Sequence, residues 1–184
     1  ASQAMGISEA KGILEAEDVL NNIKIFQKLG VQIIKKKNVY YVHGNGLKSL
    51  VTKDNLKIYA GNAGTVARCI MGLLAPYPHK ITILGDPSLS RRDFFRCIAP
   101  LEKFGCSFQP KGKTTLPLTM TGTNWLLPLD NYELVHPSAQ VKTCCIFASL
   151  LSPGISTIKE PISLASRSHT EILLKHVKAS LQIK

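Results

Sequence analysis

Three segments with one helical pattern recur at a fixed spacing of 75 residues, and this repeat constrains the fold more than any other feature of the chain. They are residues 18–30 (DVLNNIKIFQKLG), 93–105 (DFFRCIAPLEKFG) and 168–180 (SHTEILLKHVKAS). Apolar residues fall at three- and four-residue steps, as in Phe95, Ile98, Leu101 and Phe104, so each segment predicts an amphipathic helix with one buried stripe. A short apolar or alternating run follows each (31–34, 106–108 and 181–183) and predicts a strand.

A second helix repeats at the same offset, Val66, Cys69, Ile70 and Leu73 recurring as Val141, Cys144, Cys145 and Ala148. The strand after it recurs too, at 78–83 (PHKITI) and 153–158 (PGISTI), with proline at a tolerated opening position. Stretches 39–43 before Gly44 and 116–121 before Gly122 are rich in β-branched and aromatic residues and predict hairpins. One repeat is therefore a helix, strands, a second helix and a further strand. Such α/β units stack around a shared core. On this period the second helix type, which opens at Asn62 and Pro137, has an earlier copy ahead of Ala1, so the first unit is expected to be truncated. Residues 1–6 read either as extraneous or as the tail of that helix.

A chain of 184 residues with 45% hydrophobic and 19% charged residues can bury a core in one or two globular units. Its longest apolar stretches, such as 70–76, fall well short of the ~18 residues a membrane span needs, and no signal-peptide pattern opens it. A cytoplasmic location without membrane contact is the expectation. The five cysteines (69, 97, 106, 144 and 145) show no CxxC spacing and are an odd number, which predicts reduced, mostly buried thiols. A net charge of +11 implies anionic partners, whether nucleic acid, acidic lipid or phosphorylated metabolites.

Three motifs narrow that choice. Gly61-Asn62-Ala63-Gly64-Thr65 opens the second helix type, with Arg68 one turn on. Free backbone N–H groups and the helix dipole make an anion site there, although the same residues also read as an ordinary glycine turn with an N-cap. Its repeat mate, Pro137-Ser138-Ala139-Gln140-Val141-Lys142, offers a hydroxyl, an amide and an ammonium at another helix start; Ser138 as a plain N-cap and Lys142 as a solvated side chain is the competing reading. The third motif, residues 85–92 (GDPSLSRR), has a counterpart ending in SRSHTE at 166–171. Each places an arginine, Arg92 or Arg167, just before a helix of the first type. Arginine binds phosphate or carboxylate bidentately, and either could instead be a surface ion-pair partner.

The run Lys35-Lys36-Lys37 reads as a solvated face, while the adjacent Tyr40 and Tyr41 leave an RNA-binding reading open. His169 and His176 lack a third ligand, so no metal is expected.

Taken in order, GNAGTVAR, GDPSLSRR, LPLTMTG, PSAQVK and SRSHTE resemble the 5-enolpyruvylshikimate-3-phosphate synthase family across residues 7–183, about the first half of a member. The resemblance implies an α/β fold of the inside-out α/β barrel type, built from repeated folding units, with residues 1–184 forming a single domain, most of the N-terminal one. It also implies transfer of the enolpyruvyl group of phosphoenolpyruvate to the 5-hydroxyl of shikimate-3-phosphate, with release of phosphate and without cofactor or metal. Shikimate-3-phosphate would be held by Ser138, Ala139, Gln140 and Arg167, with Ser138 and Arg167 on its phosphate. Phosphoenolpyruvate would be held by Asn62, Gly64, Arg92 and Gln140, with Thr65, Arg68 and Lys142 in support. The implied partners are these two substrates and the chain's own second domain, with no nucleic acid and no membrane.

Gly64 stands where some glyphosate-tolerant members carry alanine. The family's Lys-Ser anion motif is not found, Asp93 replaces a usual proline, and Ser168 replaces the usual aspartate of SRDHTE. Because the family's acid and base groups lie in the second domain, no catalytic residue is assigned here and the chain alone is expected not to turn over. Two alternatives are the related UDP-N-acetylglucosamine enolpyruvyl transferase, against which SAQVK and SRSHTE argue, and a non-catalytic anion-binding module.

Overall fold

The computed structural model describes residues 1–161 and 165–183. Along the chain run β1 (Met5–Lys11), α1 (Glu17–Lys28), β2 (Ile33–Lys36), β3 (Val39–Asn45), β4 (Leu56–Tyr59), α2 (Gly64–Leu74) and β5 (Lys80–Leu84). A single 3-10 turn, Leu89–Arg91, leads to α3 (Phe95–Lys103), β6 (Ser107–Gln109), β7 (Leu118–Thr121), β8 (Tyr132–Glu133), α4 (Ala139–Ser149), β9 (Ile158–Lys159) and α5 (His169–His176).

The 75-residue period holds at both ends of α2 and α4. It also holds for the ends of the first helix type. In α1 the Gly30 N–H bonds to Gln27 and the Val31 N–H to Phe26, and in α3 Gly105 and Cys106 bond to Glu102 and Leu101 in the same way. Both are Schellman endings, which satisfy the last helical carbonyls through a residue of positive φ. The third copy departs. There α5 stops at His176, Lys178 takes the positive-φ position, and residues 181–183 form no strand, contrary to the sequence expectation. Ser180 stands where the other two copies carry glycine, so the period alone places that ending two residues too late.

The strands assemble as three sheets ordered β1-β3-β2, β4-β5-β7-β6 and β8-β9. Pairings β4–β5 and β8–β9 are parallel, and the others are antiparallel. The first two sheets are each shared between successive repeats, with β1 in the place that β5 and β9 hold in the other two. Met5 and Gly6 are thus not a helix tail, because the strand begins at Met5 and pairs there with Asn45. The strand expected over 153–158 is confined to Ile158–Lys159, which leaves Pro153 outside it.

Helices α2 and α4 lie inside. Val141 through Ile146 of α4 are all buried, whereas β4 alternates buried and exposed residues. Helices α2 and α4 cross closely enough that a Cβ on Gly72 would stand 2.1 Å from the Cys144 carbonyl oxygen. Only glycine fits against that backbone. Phe94 and Phe104 fill the core beside them with no exposed surface, each contributing roughly 1.5–3 kcal/mol relative to exposure. The five cysteines are free; four are buried, and desolvation pushes the Cys69 and Cys106 thiols up to about 12. No described helix is long and apolar enough to cross a membrane.

Candidate anion site at paired helix starts

Close packing of α2 on α4 brings the two helix N-termini side by side, and Asn62, Gly64, Thr65, Arg68, Arg92 and Gln140 gather there. Gln140 in the first turn of α4 donates through Nε2 to the Thr65 hydroxyl of α2 at 2.7 Å. Its carbonyl oxygen accepts from Arg68 Nη1 at 3.0 Å. Arg68 also donates through Nη2 to the Asp93 carbonyl at 3.1 Å, and its guanidinium lies 4.7 Å from the centre of the buried Phe94 ring. With a flat face on an aromatic ring and two donors engaged, this guanidinium is held in one orientation.

Arg92 reaches the same place from the loop after β5. Asp86 Oδ1 accepts from the Leu89 N–H at 2.6 Å and caps the 3-10 turn, and Asp86 itself donates its N–H to the Gly61 carbonyl. The turn delivers Arg92 so that its Nη2 donates to Asn62 Oδ1 at 3.3 Å. A Cβ on Gly64 would stand 2.8 Å from Arg68 Nη1 and 3.2 Å from Arg92 Nη1. Both guanidinium groups therefore converge on the glycine that opens α2.

Helix α2 has no side-chain cap and no acidic residue in its first turn, so nothing of its own neutralises the positive end of its dipole. Among the described residues neither Arg68 nor Arg92 has a carboxylate within ion-pair distance. Nearby, the Phe95 N–H holds the Asp93 carboxyl below its usual value despite some burial, and Arg96 and Arg68 add to the effect. Asp93 Oδ1 accepts from that N–H at 3.0 Å, so the aspartate takes up a donor at the start of α3. The arrangement, two unpaired guanidinium groups facing an uncapped helix start, suits an anion of carboxylate or phosphate type.

The second predicted motif divides. Ser138 Oγ accepts from the Val141 N–H at 3.4 Å and caps α4, as the plain capping reading expects. Ala139 and Gln140 form the first turn beside it. Lys142 is neither solvated nor turned toward the anion site: it is 7% exposed and bonded to Glu160 and Glu171, both at 2.7 Å. Burying an ammonium demands such partners. Arg167 is exposed in the segment before α5, and among the described residues its side chain makes no ion pair. That segment is tied to α4 by a 2.6 Å hydrogen bond between the hydroxyls of Thr143 and Thr170.

Sequence reasoning missed Phe94 under Arg68 and the two carboxylates on Lys142. The basic run at 35–37 offers no open aromatic platform. Tyr40 is buried, its hydroxyl donates to Glu15 at 2.9 Å, and Lys35 covers its ring at 5.6 Å while pairing with the same glutamate. Among the described residues no three His, Cys, Asp or Glu side chains come together to hold a metal ion.

Residues 1–184 match the family described as EPSP synthase (3-phosphoshikimate 1-carboxyvinyltransferase). The chain is 38% identical over 182 residues to a 3-phosphoshikimate 1-carboxyvinyltransferase of Parvibaculum lavamentivorans, covering 98% of this chain and 40% of the relative. It is 39% identical over 181 residues to the Bartonella quintana protein of the same name, with the same coverage. A solved EPSP synthase from Acinetobacter baumannii superposes with a TM-score of 0.91 at 32% identity, covering 100% of this chain and 41% of that one. The chain thus spans about two fifths of the length of these relatives. A match along its whole length, with the fold in common, establishes that the chain belongs to the EPSP synthase family.

Proposed function

We propose that this chain supplies one wall of a cleft in which the enolpyruvyl group of phosphoenolpyruvate passes to the 5-hydroxyl of shikimate-3-phosphate with release of phosphate. The observation that carries the reading is the convergence of Arg68 and Arg92 on Gly64, beside Gln140 and Thr65. Residues 1–184 then form most of one domain, and a second domain closes the cleft.

In this reading Arg92, Asn62, Gly64 and Gln140 hold phosphoenolpyruvate, and Thr65 and Arg68 fix the shape of that subsite. Ser138, Ala139, Gln140 and Arg167 hold shikimate-3-phosphate, with Arg167 on its phosphate. When the 5-hydroxyl adds to C2 of phosphoenolpyruvate, the anionic charge of carboxylate and phosphate persists through addition and elimination. Guanidinium groups fixed before the substrates arrive stabilise it without reorganising. Proton transfer to and from the reacting carbons falls to groups of the second domain. With one wall alone, both reactants stay solvated and mobile, so binding without turnover is expected.

Calorimetric titration of the chain with shikimate-3-phosphate, alongside a phosphate-release assay with both substrates, tests this. Weak binding of the phosphorylated ligand that falls as salt rises, with no phosphate release, supports the reading. Equal affinity for unphosphorylated shikimate would overturn the phosphate assignment, and rapid release by the chain alone would overturn the need for a second wall.

A further inference from the structure

We propose that Lys142 is a positioning residue that holds the loop carrying Arg167 against the first turn of α4. The proposal rests on the reading of Arg167 as a phosphate ligand, but its structural half stands apart from that reading. The Lys142 ammonium lies 2.7 Å from Glu160 Oε2, just after β9, and 2.7 Å from Glu171 Oε1, in the first turn of α5. The three side chains are 9%, 16% and 9% exposed. One lysine of α4 thus grips both ends of the segment that contains Arg167.

The neighbours of Arg167 are anchored in turn. The Ser166 N–H donates to Glu160 Oε1 at 3.3 Å, and Thr170 bonds to Thr143 at 2.6 Å. An exposed arginine with no ion-pair partner among the described residues takes its placement from its backbone. Fixing that backbone in advance lowers the ordering cost of binding.

Stability alone does not require a lysine here. A buried ion pair can often be replaced by apolar residues of like volume without loss, because desolvation offsets the attraction. This cluster carries two carboxylates for one ammonium, and Glu171 Oε2 is buried without a hydrogen-bond partner among the described residues. The repeat supplies an internal control. The residues 75 positions earlier are Ala67, Gly85 and Arg96, and the corresponding elements pack there with Ala67 fully buried and no ionic link. In that unit Arg92 is steadied by Asn62 and the turn capped by Asp86. The lysine clamp occurs in the unit whose arginine has no such support among the described residues.

The test uses the full chain. Lys142→Met strands two carboxylates, so the informative variant is the neutral triple Lys142→Met, Glu160→Gln, Glu171→Gln. Hydrogen exchange is followed at 165–172, and shikimate-3-phosphate is titrated with and without Arg167→Ala. A retained thermal transition, exchange several-fold faster only at 165–172, and affinity about tenfold weaker are expected. In the Arg167→Ala background the triple substitution should then cost nothing more, because a clamp acting through Arg167 has no effect once that side chain is gone. Unchanged exchange, an additive loss, or a triple variant that no longer folds would overturn the proposal. If the wild-type chain does not bind the ligand, the reading of Arg167 falls, and the exchange measurement alone decides the clamp.

Discussion

The side-chain amide of Gln140 donates to the Thr65 hydroxyl at 2.7 Å, and the two residues occupy the same place in successive repeats, 75 positions apart. This contact turns two separate helix starts into one site. Because the carbonyl end of the same amide accepts from Arg68, the Gln140 side chain has a single orientation that satisfies both partners. The repeat thereby builds an arrangement that neither copy has alone: α2 contributes the dipole and Arg68, and α4 contributes the group that holds Arg68 in place.

Thr65→Val keeps the shape of the threonine but removes the acceptor for Gln140 Nε2. The expected cost is about 1 kcal/mol, the usual net value of one hydrogen bond near the surface. Thr65→Ser should recover most of it. Thermal denaturation of the two variants checks this; an unchanged melt for Thr65→Val with a loss for Thr65→Ser would mean that the methyl group, not the hydroxyl, matters at position 65.

The fold was largely legible in the sequence because its repeat is close to regular. The bounds of α2 and α4 follow from one another, and Arg68 and Gln140 meet because their motifs open equivalent elements. What escaped notice has physical reasons. Strand β1 (MGISEAK) has a single β-branched residue, Ile7, and is recognised only by its place beside β3. Strands β8 and β9 are two residues long and carry no periodicity of their own. A lysine near a helix start reads as solvated unless carboxylates close on it from elsewhere, and nothing local announces that Glu160 and Glu171 close on Lys142.

Gly64→Ala places a methyl carbon where the ends of two guanidinium groups now lie, 2.8 Å and 3.2 Å away. Both are far ends of flexible side chains, so the fold should survive with little change in melting temperature. The arginines must move apart. Affinity for phosphoenolpyruvate, measured by calorimetry at saturating shikimate-3-phosphate, should fall about tenfold, or about 1.4 kcal/mol. An unchanged affinity would separate the placement of Arg68 and Arg92 from binding of this substrate.

The Lys142 cluster predicts a sensitivity to acid. Burial opposes the charge on Glu160, but Lys142 and Ser166 outweigh it and hold its carboxyl below the usual 4.5. A group whose folded value is depressed contributes stability above its unfolded value, and that contribution is lost as pH falls through the folded one. For Lys142 burial also opposes the charge, yet the hydrogen bonds to Glu160 and Glu171 raise the ammonium above 10.5. Its contribution is present below that value and lost as pH rises through the folded one. Stability should therefore weaken below about pH 4.5 and again above about pH 10.5. Denaturant unfolding of Glu160→Gln across this range should show a shallower acid limb than the wild type; parallel curves would place the acid-sensitive groups elsewhere.

Arg167 is exposed, stands immediately before α5, and among the described residues makes no ion pair, so its guanidinium is open to a ligand. A bidentate contact to the phosphate of shikimate-3-phosphate is charge-assisted on both sides, and Arg167→Ala should cost roughly 1.5–3 kcal/mol of binding. Lysine at this position should restore part of the loss, because it keeps the charge but lacks the planar fork. Melting temperature should change little, since the side chain packs against no core. Calorimetric titration paired with a thermal melt separates the possibilities. Lost affinity with an unchanged melt makes Arg167 a ligand-binding residue, whereas unchanged affinity with a marked fall in melting temperature makes it a structural one.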